Sequence, residues 1–139
     1  MMAVTSLIPA RFLCMISHLI IAITLLWSRD GNVKSCLPED YTDAQYRSVD
    51  TGLLIGLILV IVFLAIEIIG FISGVSMFIH LAGLISTGAH ASGSIALSYF
   101  LFEEWPCYTF WWIFSFCSVV PALIEVVLLI GIAGLKKVK

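Results

Sequence analysis

The chain has 139 residues, of which 61% are hydrophobic and 12% charged, against roughly 45–50% and about 25% in ordinary soluble domains. A chain this short leaves much of its surface outside any core it can build, and it lacks the polar side chains to cover that surface, which argues against a water-soluble enzyme. The formal net charge of −2 matters less for its total than for how its parts divide across a membrane.

In chain order, apolar runs fall at about 7–27, 53–73, 81–102 and 110–133. At about 1.5 Å per residue each can cross a hydrocarbon core of roughly 30 Å. Runs without alternation satisfy their backbone as helices. The expected fold is therefore all-α, a four-helix transmembrane bundle forming one integral membrane domain over residues 1–139. A single long polar loop at 28–51 joins the first two spans. Arg11 precedes an apolar stretch in the order of a signal peptide, but no small-x-small cleavage site follows Trp27, and the first run is expected to stay as a span.

On one side of the membrane this arrangement collects Arg11, Lys136, Lys137 and Lys139. The other side holds Arg29, Lys34 and Arg47 with Asp30, Glu39, Asp40, Asp43, Asp50, Glu103 and Glu104. The Lys cluster abutting the last span points to both termini being cytoplasmic. Trp27, Tyr99, Trp105, Tyr108, Trp111 and Trp112 fall near the opposite boundary, where amphipathic rings prefer the headgroup level.

Cys36 and Cys107 then share the oxidising side, and a disulfide between them is expected, with two free thiols as the alternative. Cys14 and Cys117 lie within spans and read as small buried apolar residues, although Cys14 beside Arg11 has the setting of an acylation site. No metal-ligand spacing, glycosylation sequon, phosphate loop or hydrolase motif occurs. Accordingly no catalytic residue, metal, cofactor, nucleic acid or small-molecule substrate is expected.

Four ionisable side chains lie at membrane depth, and such residues are functional candidates by default. Helical rise places His18, Glu67, His90 and Glu125 about 10–15 Å from the presumed cytoplasmic ends, in a common layer. They could form a proton relay, a metal site or a coupling-ion site, or simply hydrogen-bond the bundle together. Gly70 and Gly74 make a GxxxG pair on the stripe of Glu67. The third span reads as a packing strip through Gly83, Gly88 and Gly93. Pro121, four residues before Glu125, implies a helix irregularity with a freed carbonyl.

The succession Trp27-Ser28-Arg29-Asp30, Cys36-Leu37-Pro38, Gly70 to Phe78 (GFISGVSMF), Gly88-Ala89-His90, Phe116-Cys117-Ser118 and Gly134-Leu135-Lys136-Lys137 resembles the transmembrane protein 107 family from about Leu7 to Lys137. The hairpin Ile79-His80-Leu81-Ala82 departs from it, being less polar than that family's pattern implies. The resemblance implies a four-span protein of the ciliary transition zone, without catalytic activity. It further implies membership of the Meckel syndrome module, partnership with that module's membrane and coiled-coil or domain proteins, and support of ciliogenesis and Hedgehog signalling.

Overall fold

The computed structural model describes residues 2–74 and 79–138, with side chains described for all of these except 2–5, 133 and 135–138. Residues Val75–Phe78 of the second hairpin and the topology residue Lys139 lie outside the described residues, as do the side chains of Lys136 and Lys137. Six α-helices account for most of the chain, and no strand occurs among the described residues: α1 (Met2–Ser28), α2 (Asp30–Lys34), α3 (Asp43–Ile72), α4 (His80–Phe102), α5 (Cys107–Phe114) and α6 (Val120–Val138). A π-helical segment, Ser115–Val119, joins α5 to α6 without a break.

Among the described residues three stretches are long and apolar enough to cross a membrane: Ser6–Ser28, Asp43–Ile72 and Cys107–Ile132. At 23 residues, α4 has the length, but its glycines, serines and histidines dilute its apolar content. It packs most extensively against α1, and also touches α5 and α6.

The polar loop expected over 28–51 is shorter than its composition suggests. α3 begins at Asp43 because Thr42 and Gln45 form a capping box: the Thr42 hydroxyl accepts from the Gln45 backbone N–H at 3.2 Å, and the Gln45 carbonyl accepts from the Thr42 N–H at 2.8 Å. Two orphan donors are thereby satisfied, which lets a polar turn start a helix well before the apolar run. Those first turns then dock on α2. The Tyr46 hydroxyl donates to Asp30 at 2.5 Å, and Arg29 grips Asp50 through Nε and Nη2 at 2.6 and 3.3 Å. The Tyr46 hydroxyl, and after it Lys34, holds the Asp30 carboxyl below its ordinary range.

Packing follows one period throughout. The buried positions described for α1 are Arg11, Met15, His18, Ala22 and Leu25, and those of α3 are Leu53, Leu57, Val60, Leu64, Glu67 and Phe71, with Gly56 and Gly70 beside them. Alternating steps of four and three residues keep one seam of each helix facing its neighbours, as in interlocked left-handed bundles. Leu25, Leu57, Leu97, Phe100 and Phe110 fill the end of the bundle nearest the disulfide. There Gly56 leaves room for the Phe110 ring, which would overlap any side chain at that position.

At that end Cys36 and Cys107, 71 positions apart in the sequence, are joined in a disulfide with Cα atoms 5.8 Å apart. Beside it Asn32 is fully buried and donates to the carbonyls of Phe100 at 2.7 Å and Trp105 at 2.9 Å, satisfying acceptors where α4 ends. A disulfide closing so long a loop contributes roughly 4 kcal/mol to a free chain, and less where spanning helices already restrict it. Cys36→Ser is expected to cost about 2 kcal/mol, read as a lower unfolding temperature in detergent. An unchanged temperature would show that Asn32 and the helix contacts hold this end without the bond.

Candidate functional site

The inward seams bring the ionisable residues of the spans together, in two groups. Arg11 on α1 meets Glu125 on α6, Nη2 to Oε2 at 3.1 Å, with both side chains at most 2% exposed. The guanidinium also lies over the Phe71 ring, 5.2 Å from its centroid. Further along, His18 on α1, His90 on α4 and Glu67 on α3 form a string. The Nδ1 atoms of His18 and His90 are 2.7 Å apart, and His90 Nε2 is 2.7 Å from Glu67 Oε2. The Ser86 hydroxyl donates weakly to the same carboxylate oxygen at 3.4 Å. His18, His90 and Glu67 are completely buried.

This arrangement revises two readings from the sequence. Arg11 is not part of a basic rim but sits inside the bundle, because positions 11, 15 and 18 share one helical face and Glu125 supplies the opposite charge that makes burial tolerable. The same spacing was the one signal that could have revealed it. Glu125, in turn, is not part of one layer with His18, Glu67 and His90: it is engaged by Arg11, and only the other three residues are linked to one another. Among the described residues no group of three His, Cys, Asp or Glu side chains is placed to hold a metal ion.

The π segment aims Glu125. Pro121 has no N–H to donate back into the preceding turn, and the five residues Ser115–Val119 widen to π geometry ahead of it. The extra residue advances the inward seam of this last span, so that Phe110, Ile113, Cys117, Pro121 and Glu125 are all buried. Without that insertion the step from Cys117 would carry position 124 inward. The irregularity implied by Pro121 thus takes the form of a register shift.

The glycines divide by what surrounds them. A Cβ at Gly70 would strike the Glu125 carboxylate, one at Gly83 would lie 2.8 Å from Leu7 Cδ2, and one at Gly93 would lie 2.9 Å from Cys117 Cβ and 3.1 Å from the His18 ring. Gly74 and Gly88 do not pack. Gly74 has φ +87° and open space around it, so it ends α3 in a left-handed turn rather than completing a GxxxG contact. Gly88 faces outward, with nothing within 4 Å of a built Cβ. Gly93→Ala should therefore cost about 1–3 kcal/mol through overpacking, whereas Gly88→Ala should stay within about 0.5 kcal/mol. Thermal unfolding of the two variants side by side checks the contrast, and equal losses would contradict the placement.

Chemically, the string has two arrangements of equal net charge. Either Glu67 is protonated and donates to His90 Nε2, so that His90 Nδ1–H donates to a neutral His18, or Glu67 is ionised and accepts from His90 Nε2–H, while His18 is an imidazolium whose Nδ1–H donates to His90. Moving two protons along the string interconverts them. One end stops at Glu67 Oε1 and the other at His18 Nε2, both buried and without a hydrogen-bond partner among the described residues. Beyond the string toward the disulfide end stand Leu25, Leu57, Leu97, Phe100 and Phe110, none more than 1% exposed, and such an apolar layer offers a proton no acceptor. The geometry suits holding or exchanging protons locally, and three helices depend on it for their polar contacts.

Comparison with known proteins agrees over nearly the whole chain. The family described as "TMEM107: Transmembrane protein" matches residues 7–129. Transmembrane protein 107 of Xenopus laevis is 48% identical over 137 residues, covering 99% of this chain and 98% of that one. The Homo sapiens protein of the same name is 48% identical over 134 residues, 96% of each chain, and that of Danio rerio is 49% identical over 131 residues, 94% of this chain and 97% of the relative. No solved structure matches. The chain belongs to the transmembrane protein 107 family of membrane proteins.

Proposed function

We propose that the protein is a non-enzymatic, multi-pass membrane scaffold of the ciliary transition zone, recruiting or retaining other proteins there and so gating the composition of the ciliary membrane. In this reading α4 crosses the bilayer with the other three long helical stretches, both termini are cytoplasmic, and the disulfide end faces away from the cytoplasm. The partners are membrane and coiled-coil or domain proteins of the Meckel syndrome module, and the outcome is support of ciliogenesis and Hedgehog signalling. The observation that carries the reading is family membership over nearly the whole chain. It is supported by the distribution of mass: with most residues committed to helices, helix faces and short connections are the surfaces available to a partner.

The test is localisation together with loss of function. A tagged protein should concentrate at the ciliary base, and its knockout should change ciliary membrane composition. Even spread over the plasma membrane, with cilia of normal length and composition in the knockout, would end the proposal.

A second reading, a small proton-coupled or ion-conducting protein, draws on the string His18–His90–Glu67. Of the intramembrane residues such a protein would use, Glu67, His90 and Glu125, the last is engaged by Arg11, and the apolar layer above the string works against a through path. Liposomes containing the protein should show no pH-driven flux beyond that of a Glu67→Gln variant. A flux that the variant abolishes would restore this reading.

A further inference from the structure

Helix α4 carries two seams. Toward the bundle it buries Gly83, Ser86, His90, Gly93, Leu97 and Phe100. On its other side Ile85, Gly88, Ser92, Ile95, Tyr99 and Phe102 repeat the same alternation of three and four residues, and all six are exposed. That alternation is the period with which helix pairs interlock in membranes. The spacing is that of any one face of a helix, and what sets this face apart is its filling, since a face turned only to lipid gains from large apolar side chains at mid-depth. Here the middle of the face is Gly88 and Ser92, and the smallness of Gly88 serves nothing inside the bundle, since a Cβ there meets no atom within 4 Å.

Toward the disulfide end the same face opens into a groove of about 370 Å³ lined by Ser94, Ile95, Ser98, Tyr99, Phe102 and Glu103. Its floor makes no polar demand, because the Ser94 and Ser98 hydroxyls donate to the carbonyls one turn back, His90 at 2.8 Å and Ser94 at 2.7 Å. One wall is braced by Tyr99 stacked on Trp105, ring centroids 6.1 Å apart. Exposed Glu103 places a carboxylate at the mouth.

We infer that this face of α4 seats a single transmembrane helix of a partner protein, one with small residues at its middle and a Lys or Arg within a turn of the end that reaches Glu103. The small central residues let two backbones approach closely, and the basic residue answers a carboxylate at the edge of the bilayer, where charge complementarity selects among partners. The length of the face separates this occupant from a lipid. From Ile85 to Phe102 it runs about 26 Å, whereas a sterol or an acyl chain covers about half of the roughly 30 Å hydrocarbon core and would leave either Gly88 or the groove uncovered. A second copy is disfavoured by symmetry: a two-fold axis through this face sets Glu103 against the other copy's Glu103. The inference rests on the scaffold reading for the class of partner and for α4 crossing the bilayer.

The experiment uses the full chain in phosphatidylcholine liposomes and three synthetic single-pass helices, followed by energy transfer. One probe has a Leu background with a Gly/Ser seam at 3.5-residue period and a terminal Lys, the second replaces that Lys by Glu, and the third is Leu throughout with the Lys retained. The Lys probe with the seam should bind about tenfold more tightly than the Glu probe, the all-Leu probe should not bind, and Glu103→Lys should reverse the charge preference. Gly88→Leu should abolish binding while leaving the Cys36–Cys107 disulfide and the unfolding temperature unchanged. Equal transfer to all three probes, or charge preference untouched by Glu103→Lys, would overturn the inference. So would self-association of the chain lost in Gly88→Leu, which assigns the face to a second copy, or saturable binding of a labelled sterol lost in the same variant, which assigns it to lipid. In cells, full rescue of a knockout phenotype by Gly88→Leu would reject the face and spare the scaffold reading. Probe binding as expected beside a knockout without phenotype would do the reverse.

Discussion

Arg11→Met is expected to destabilise the bundle by about 3–5 kcal/mol, the cost of leaving one member of a buried ion pair without its partner. Met preserves most of the apolar stem, so the loss is mainly that of the charge. The Glu125 carboxylate is 1% exposed, its Oε2 loses the guanidinium at 3.1 Å, and its Oε1 already has no hydrogen-bond partner among the described residues. Rotation toward α3 offers no relief, because Gly70 lies directly against it. The double variant Arg11→Met/Glu125→Met should recover most of the stability, since a well-packed apolar pair in place of a buried ion pair is often neutral or stabilising. Denaturant unfolding in detergent micelles, arranged as a double-mutant cycle, measures this coupling. A double variant no more stable than Arg11→Met alone would show that Arg11 acts mainly through other contacts, its place over Phe71 among them.

The same pair shows where the sequence was legible and where it stopped. Apolar runs are set by bilayer thickness, so three of the four expected spans could be read directly, while the fourth falls on α4, which has the length but not the apolar content. Their ends could not, because α3 continues for about three turns of polar residues, Asp43 to Gly52, that owe their helix to the Thr42–Gln45 box and to docking on α2. The box itself was there to be read. Arg11 was misassigned because a charge one or two turns into a span has two outlets, the headgroups or a counter-ion, and only tertiary packing decides between them. Glu125 was less legible still. Its direction depends on a π insertion, and from sequence Pro121 says only that the helix must adjust, not by how many residues. Gly88 and Gly93 look alike in the chain, yet five residues turn a helix by about 140° beyond one full circle, which puts one outside and one against Cys117 and His18.

His90→Leu is expected to cost about 3 kcal/mol, because it orphans two buried groups at about 1–3 kcal/mol each. Glu67 Oε2 is left with only the Ser86 hydroxyl at 3.4 Å, and His18 Nδ1 loses its partner at 2.7 Å. Ser86→Ala should cost under about 1 kcal/mol, since a bond of that length is weak. A competing effect runs the other way: interhelical hydrogen bonds in membrane proteins average only about 0.6 kcal/mol, because helices separated in lipid find other partners. The measured cost decides between them, and a loss near 1 kcal/mol would mean that His18 and Glu67 are satisfied equally well in the separated helices. The triple variant His18→Leu/His90→Leu/Glu67→Leu carries the argument to function. Filling the string with apolar side chains should restore most of the stability whatever the string does, because its own buried polar groups all go and only the Ser86 hydroxyl, weakly bonded at 3.4 Å, loses its acceptor. If the string only ties three helices together, localisation at the ciliary base should return with stability. If exchange of protons between its two arrangements is part of the protein's work, stability should return and that work should not.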